Sequence, residues 1–395
     1  MIANTRVALR ACRQAVWRSK PRTVQLGRHL DAAYQWLCAA QDATPDGGVS
    51  GCYNLVRGWA GSYAETTGYI IPTFLHYGAS KNILEPRVRA IRMADWECEV
   101  QLSTGAVRSG MLGTKCGPAV FNSGQVLFGW IAAHQAVKDP RYAAAAARAC
   151  RWLVSVQDSD GAWRKNLSVL TTSSVQTYNV RAAWGLAMAG VEFDEPAWKG
   201  AAIHNCDWAL SQQRQSGWFA CNAFADGETP LLHTIGYVVE GLVGVGELLG
   251  VERYTRAAMS CLAPLVELQQ SRGKLFGRYD ENWRATVSWR CLTGEAQIAL
   301  VLLRLARVTG EKTYSEVAQS LLKRLAQLQD LSDRHPESYG AIAGSQPLWG
   351  GYGPFNYLNW AAKFFMDALL LHESNVDVQR SLPAEHASSA LPTAV

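Results

Sequence analysis

Glu65, Phe121, Thr177, His233, Cys291 and Phe355 stand in one column of an internal repeat. Four residues later stand Tyr69, Gln125, Arg181, Tyr237, Glu295 and Asn359. Residues four apart share a helix face, so the two columns mark one stripe on each of six helices. Every member of the second column is polar or amphipathic although the helices around it are apolar, and buried polar groups cost free energy unless paired. The stripe reads as a cavity mouth lined by Glu65, Tyr69, Asn122, Gln125, Tyr178, Arg181, His233, Tyr237, Glu295 and Asn359. Two kinds of chemistry are open to such a set. Glu65 and Glu295, with Asp280 or Asp226 approaching from a loop, offer the paired carboxylates of glycosidic hydrolysis, one of them made a proton donor by an aromatic surround. His233, Tyr237, Tyr69 and Arg181 offer instead a base, hydroxyls and a guanidinium fork for a carboxylate, as abstraction of a uronate C5 proton in a lyase or epimerase requires. The plainer alternative is that these groups satisfy one another around a narrow core, with His233 bonded to a loop carbonyl.

The elements that must position this stripe are set by the repeat. A glutamine closes an apolar helical stretch at Gln41, Gln101, Gln157, Gln213, Gln269 and Gln329, at spacings of 60, 56, 56, 56 and 60. Trp36, Trp96, Trp152 and Trp208 lie five residues before four of them, and a glycine turn follows at Gly105, Gly161, Gly217 and Gly273. A period of this length signals a supersecondary unit repeated to bury a common core. Each unit predicts an outer helix with one charged face, as over 142–156, and then a polar loop. An inner helix apolar nearly all round follows, as over 122–133 or 233–249. Six such hairpins predict an all-α, closed (α/α)6 toroid over residues 26–372 with almost no sheet. The loops entering the inner helices add Asp280 and Trp283, in Arg278-Tyr279-Asp280-Glu281-Asn282-Trp283, and Tyr352, in the glycine-rich stretch 349–355. Aromatic faces flanked by carboxylates and amides suit sugar rings. Trp163 and Trp218 recur at one repeat position and read as structural staples.

Composition is that of one large globular domain: 395 residues, 48% hydrophobic, with 15 Trp and 14 Tyr. No apolar run approaches the roughly 18 residues of a membrane helix. The net charge of +5 sits in the first thirty residues, which carry seven Arg and Lys and no acid, so the remainder is slightly acidic and has no nucleic-acid footprint. Residues 1–25 form a basic arm or an extra helix, with the Arg-rich, acid-poor composition that transit peptides share. Residues 373–395, rich in Ser, Ala and Pro, predict a disordered tail. Five of the ten cysteines recur inside outer-helix patterns and no CxxC pair occurs. That predicts free structural thiols and a cytoplasmic location. No metal or other cofactor is expected, because no His-x-x-x-His or His/Asp cluster occurs.

The segment Gln157-Asp158-Ser159-Asp160-Gly161-Ala162-Trp163 resembles the Q-x-x-D-G-x-W repeat of α/α toroid proteins, among them terpenoid cyclases, protein prenyltransferases and several carbohydrate-active families. The motif is a signature of fold and nearly silent on chemistry. Against a cyclase, Asp158-Ser159-Asp160-Gly161 supplies only two acids of a D-x-D-D donor, and the Arg, Glu and Asn of the stripe do not suit a polyprenyl chain. Against a prenyltransferase, Ser288 stands where the zinc-binding Asp would precede Cys291. The pattern is most similar to six-hairpin carbohydrate-active proteins of the glucuronyl C5-epimerase and unsaturated-glucuronyl-hydrolase kind. No catalytic motif of either transfers residue by residue. The resemblance implies an enzyme acting on an oligo- or polysaccharide, uronate-containing ones included. Glycosidic hydrolysis stands slightly ahead of lyase or epimerase chemistry, and non-catalytic glycan binding is a further alternative.

Overall fold

The computed structural model describes residues 24–114 and 116–381. Twelve helices alternate between an outer and an inner ring: α1 (Leu26–Asp42) and α2 (Ala64–Lys81), α3 (Glu85–Val100) and α4 (Val120–Val137), α5 (Pro140–Ser155) and α6 (Val180–Glu192), α7 (Pro196–Ser211) and α8 (Leu232–Leu249), α9 (Glu252–Arg272) and α10 (Leu292–Thr309), α11 (Lys312–Leu328) and α12 (Asn359–Ser381). The even-numbered helices contact one another in order, and α12 returns to α2, so the inner ring closes. This is the (α/α)6 toroid that the repeat predicts. Short turns join each inner helix to the next outer one, while the long loops all lie at the end where the inner helices begin.

The repeated glutamine supplies the bond between units. Gln101 Nε2 donates to Gly105 O (2.8 Å) in its own turn and to Ala145 O (2.9 Å) on the next outer helix. Gln157 does the same to Gly161 O and Ala201 O (both 3.0 Å), and Gln213 to Gly217 O (3.1 Å) and Ala257 O (2.8 Å). The glycine is required because its φ is +90° at Gly161 and an added Cβ would lie 2.4 Å from His204 O. Gln329 closes the ring, donating to Gly340 O (2.7 Å) and to His29 O (3.1 Å) on α1. The inner glycines have a packing role: a Cβ on Gly68 would meet Val126 Cα at 2.6 Å, and one on Gly124 would meet Ala182 Cβ at 2.2 Å. They bring neighbouring inner helices together rather than making room for a ligand.

Two small sheets, not anticipated from the sequence, fasten the long loops. β1 (Cys52–Asn54) pairs antiparallel with β2 (Gly58–Trp59) and with β5 (Asn356–Leu358), joining the first unit to the last, with Tyr53 opposite Trp59 and Tyr357. β3 (Arg290–Cys291) pairs with β4 (Ser345–Gln346). Helix α8 is long and apolar enough, by length and composition, to cross a membrane, contrary to the expectation that no such run exists; here 83% of it is buried as an inner helix. An inner helix faces neighbours on every side and so has no polar face. The closing helix runs past the expected limit at 372 to Ser381, and just beyond that limit Lys81 Nζ donates to Glu373 Oε2 (3.4 Å) and Asn375 Nδ2 to Leu303 O (3.2 Å). Residues 382–395 of the expected tail, and all but the last two residues of the basic arm, lie outside the described residues.

Candidate functional site

The inner helices begin at the loop-bearing end of the ring, and their first turns surround a cavity on its axis. Tyr63, Glu65, Phe121, Tyr178, His233 and Tyr237 wall it, and Ser168, Leu170, Phe224, Tyr352 and Trp360 cover it. Water has about 30 Å³ there, roughly one molecule's share. The cavity is therefore closed to anything as large as a sugar. Its cover includes Leu170, which is 55% exposed although it lines the mouth.

Glu65, the second residue of α2, is 6% exposed. Tyr63 lies two residues earlier, at the N-cap of α2, and its hydroxyl donates to Glu65 Oε2 (2.5 Å). Burial raises the Glu65 pKa to about 7, against the opposing pull of the Tyr63 hydroxyl and the Arg181 charge. His233 holds the matching place on α8 and is 3% exposed. Its Nδ1 lies 2.6 Å from Gln297 Oε1. With that oxygen accepting, Nδ1 carries the proton and Nε2 keeps its lone pair. Burial lowers the His233 pKa to about 4, with the Gln297 bond opposing and Arg181 adding to the fall. The positive end of α8 also favours the neutral ring. Near neutral pH the cavity thus holds one carboxyl poised between its two forms and one imidazole free to accept a proton. Tyr237 and Tyr352 pack against the imidazole, with ring centroids 4.2 and 5.3 Å away. Burial pushes both phenols well above their usual range, so they remain donors.

A charged layer lies beneath. Arg181 donates to Glu240 through Nε (2.9 Å) and Nη2 (3.2 Å), and through Nη1 to Gln125. Its guanidinium lies over Tyr69 and Tyr237, 5.3 and 5.4 Å from their ring centres. Burial opposes both charges, yet each partner outweighs that cost for the other: Arg181 stays above its ordinary pKa and Glu240, aided by Lys363, below the usual carboxylate range. Lys363 in turn pairs with Asp367 (2.6 Å).

Five of the fourteen residues singled out in the sequence therefore meet at the cavity, Glu65, Tyr178, His233, Tyr237 and Tyr352, while Asp226 stays outside its lining and accepts from Ser174 N (3.3 Å). Tyr69, Gln125 and Arg181 lie below it. Asn122 Nδ2 donates to Arg108 O (3.3 Å) at its side. The others are placed elsewhere, and each for a visible reason. Glu295 is fully buried in a two-pronged pair with Arg290, which also donates to Gln346 Oε1 (2.7 Å), so it ties β3 to α10. Asn359 donates to Ser50 O (2.9 Å) and Thr66 Oγ1 (2.8 Å), closing the ring between α12 and the first unit. Asp280 accepts from the backbone of Asn282 (3.0 Å) and Arg284 (2.8 Å) within its own turn, and Trp283 Nε1 donates to Ser216 O (2.9 Å) on the outer flank. The staple reading of Trp163 agrees with its complete burial and its bond to Leu153 O (3.0 Å). Tyr63, Ser168, Leu170, Phe224 and Trp360 were not among the sequence candidates. None of them lies in the two columns that mark the stripe.

No protein-family model matches the chain, and no curated protein matches it in sequence. Among solved structures it resembles an unsaturated glucuronyl hydrolase responsible for glycosaminoglycan degradation in a Bacillus species (strain GL1), at 14% identity over 89% of this chain and 98% of that one, with a TM-score of 0.70. It also resembles cellobiose 2-epimerase from Bacillus thermoamylovorans, at 10% identity over 87% and 98%, TM-score 0.68. A D-mannose isomerase shares 12% identity over 90% of this chain and 100% of its own, TM-score 0.69. The likeness is one of fold: each spans the whole six-hairpin ring at an identity too low to carry residues across.

Proposed function

We propose that this chain is a carbohydrate-active enzyme that moves a proton at a sugar carbon next to a carbonyl, in an epimerase or isomerase reaction. The observation that carries the reading is the composition of the cavity. Among the described residues lining it there is one carboxyl, Glu65, and one imidazole, His233. Hydrolysis by paired carboxylates needs a second acid roughly 5–9.5 Å from the first. Glu295 is committed to Arg290, Glu240 to Arg181, and Asp280 to its own turn. The carriers of the two groups, α2 and α8, are three units apart in a ring of six, so acid and base approach a ligand from opposite sides. That arrangement suits inversion at a C–H centre.

In this reading His233 Nε2 takes the C2 proton of an open-chain aldose, and the C–H electron pair passes into the carbonyl, leaving an enediolate. As the carbonyl reforms, the electrons return to C2, which takes a proton from the Glu65 carboxyl on the other face. His233 is then protonated and Glu65 ionised, and exchange with water restores both. The Tyr178 and Tyr237 hydroxyls are the donors available to the enediolate oxygen. Residues 164–176 must draw back before a sugar can enter. The relatives in fold that act on free sugars, the 2-epimerase and the mannose isomerase, support this class; the glucuronyl hydrolase supports the alternative in which Glu65 serves as the acid of a hydrolytic reaction, for which its pKa is suited. Incubating the protein with neutral and uronate-containing oligosaccharides in deuterated water, read by proton NMR, decides between them. Deuterium appearing at a sugar carbon is expected. New reducing ends without carbon-bound deuterium would transfer the protein to the hydrolases, and no change in any sugar would remove the enzymatic reading.

A further inference from the structure

A second concavity, of about 940 Å³, shares no lining residue with the cavity just described. It lies on the outer flank of the fifth unit, between the last turns of α9 and residues 282–288. The repeat changes at this point. α9 runs past Gln269 to Arg272, and Gln269 Nε2 reaches the next outer helix through a side chain, Ser320 Oγ (3.3 Å), where the other repeat glutamines bond a backbone carbonyl. Pro264, inside α9, interrupts the helix's hydrogen-bond ladder at the groove wall. The opposite wall is held open by Trp283, a bulky residue at φ +58°, which is costly unless the surroundings enforce it. Its indole is fixed to Ser216 O, and Ser216 Oγ donates to Glu281 O (2.7 Å).

We infer that this groove is an accessory binding site for an anionic glycan chain, such as a uronate oligomer, outside the catalytic cavity; the choice of a glycan rests on the carbohydrate reading above. Half-buried Phe276, with Lys274 Nζ 4.9 Å from its ring centre, supplies apolar edge for a sugar C–H face beside a further cation, and Trp283, 9% exposed, backs the wall from within. Arg272 and Arg284 are exposed and make no ion pair among the described residues, unlike Arg89 of α3, Arg141 of α5 and Arg253 and Arg256 of α9. Two unpaired guanidinium forks are what planar carboxylates bind bidentately, and Glu267 is the single acid of the lining. Asn282 and Ser271 are left for hydroxyls. A chain held here is kept near the protein while the axial cavity acts on its end, which raises effective concentration without changing the chemistry.

The test is calorimetric titration of the full chain, carrying Glu65→Gln to prevent turnover, with hexamers of galacturonate and with cellohexaose. The galacturonate hexamer is expected to bind, and cellohexaose at least tenfold more weakly. Replacing both Arg272 and Arg284 by Ser, surface changes that leave the ring intact by circular dichroism, should weaken galacturonate binding by about tenfold or more, as loss of charge-assisted hydrogen bonds does. Equal affinity for the two hexamers, or an undiminished affinity in the double variant, overturns the proposal. Turnover of free sugars, measured with Glu65 intact and both arginines in place, separates the two readings. Turnover by that protein with no binding of the galacturonate hexamer ends the accessory site alone, whereas galacturonate binding without any sugar turnover ends the catalytic reading alone.

Discussion

Glu65 and His233 sit at matching positions of two helices and are driven in opposite directions by the same cause. Burial disfavours charge, so the carboxyl is raised to about 7 and the imidazole lowered to about 4. If the carboxyl acts as its protonated form and the imidazole as its neutral form, activity is full between those values. It falls above pH 7 as Glu65 ionises and below pH 4 as His233 gains a proton. Glu65→Gln and His233→Asn should each lower kcat/KM by about 10²- to 10⁴-fold with the fold retained, as steady-state kinetics and circular dichroism would show; a near-normal rate in either variant removes that residue from the reaction. Tyr63→Phe is the sharper probe. The Tyr63 hydroxyl bonds the ionised form of Glu65 and so holds its pKa down. Without it the carboxyl ionises at higher pH, and the alkaline limb of the pH–rate profile should move upward. An unmoved limb would mean that another group sets it.

Among the outer helices, α3 carries the oddest residue of the core. Glu97 is fully buried, with no hydrogen-bond partner for either oxygen among the described residues, and burial alone raises its pKa well above the ordinary value. At the same place, four residues before the repeat glutamine, the other units have Leu37, Leu153, Ala209, Leu265 and Leu325. Folding keeps Glu97 protonated, while the unfolded chain releases that proton above its usual value of 4.5. No stability is lost below that pH, and stability falls as pH rises from there toward the folded pKa. Glu97→Leu should therefore stabilise the protein by roughly 1–3 kcal/mol at pH 7 and by little of that near pH 4. Chemical denaturation at both pH values checks this, and a gain independent of pH would mean that Glu97 is not the titrating group. The same element scale explains what the sequence could show of the site. Column alignment placed Glu65, His233 and Tyr237 correctly on one stripe, because helix periodicity alone determines which residues share a face. It could not separate lining from support: Glu295 and Asn359 occupy the same column, but Glu295 is taken by Arg290, five residues earlier on β3, and Asn359 by the distant Ser50 in the first loop, contacts that no helical period encodes. Apart from Trp360 on α12, the cover of the cavity belongs to loops, where Ser168 and Leu170 follow no period at all.

At the scale of the whole molecule, the fold was legible because one physical device is written into the chain repeatedly: a glutamine that bonds its own glycine turn and the next outer helix. The small sheets were not legible, since strands of two or three residues carry no alternation to read. Their role appears only in the closed ring, where β1 meets β5 and Gln329 reaches back to α1. Closure has a thermodynamic consequence. An open repeat array is stabilised by nearest-neighbour contacts and can melt from an end, whereas in a ring no unit is terminal and each inner helix is buried by two others. Gln329→Leu tests this at the seam. It removes the bonds to His29 O and Gly340 O and leaves both carbonyls without that donor, at a cost of roughly 2–4 kcal/mol. If the ring behaves as one body, scanning calorimetry of the variant shows a single transition at lower temperature, with calorimetric and van't Hoff enthalpies in agreement. If the first or last unit instead peels away, an early transition of small enthalpy separates from the main one, and the toroid would have to be understood as a curled array whose ends merely touch.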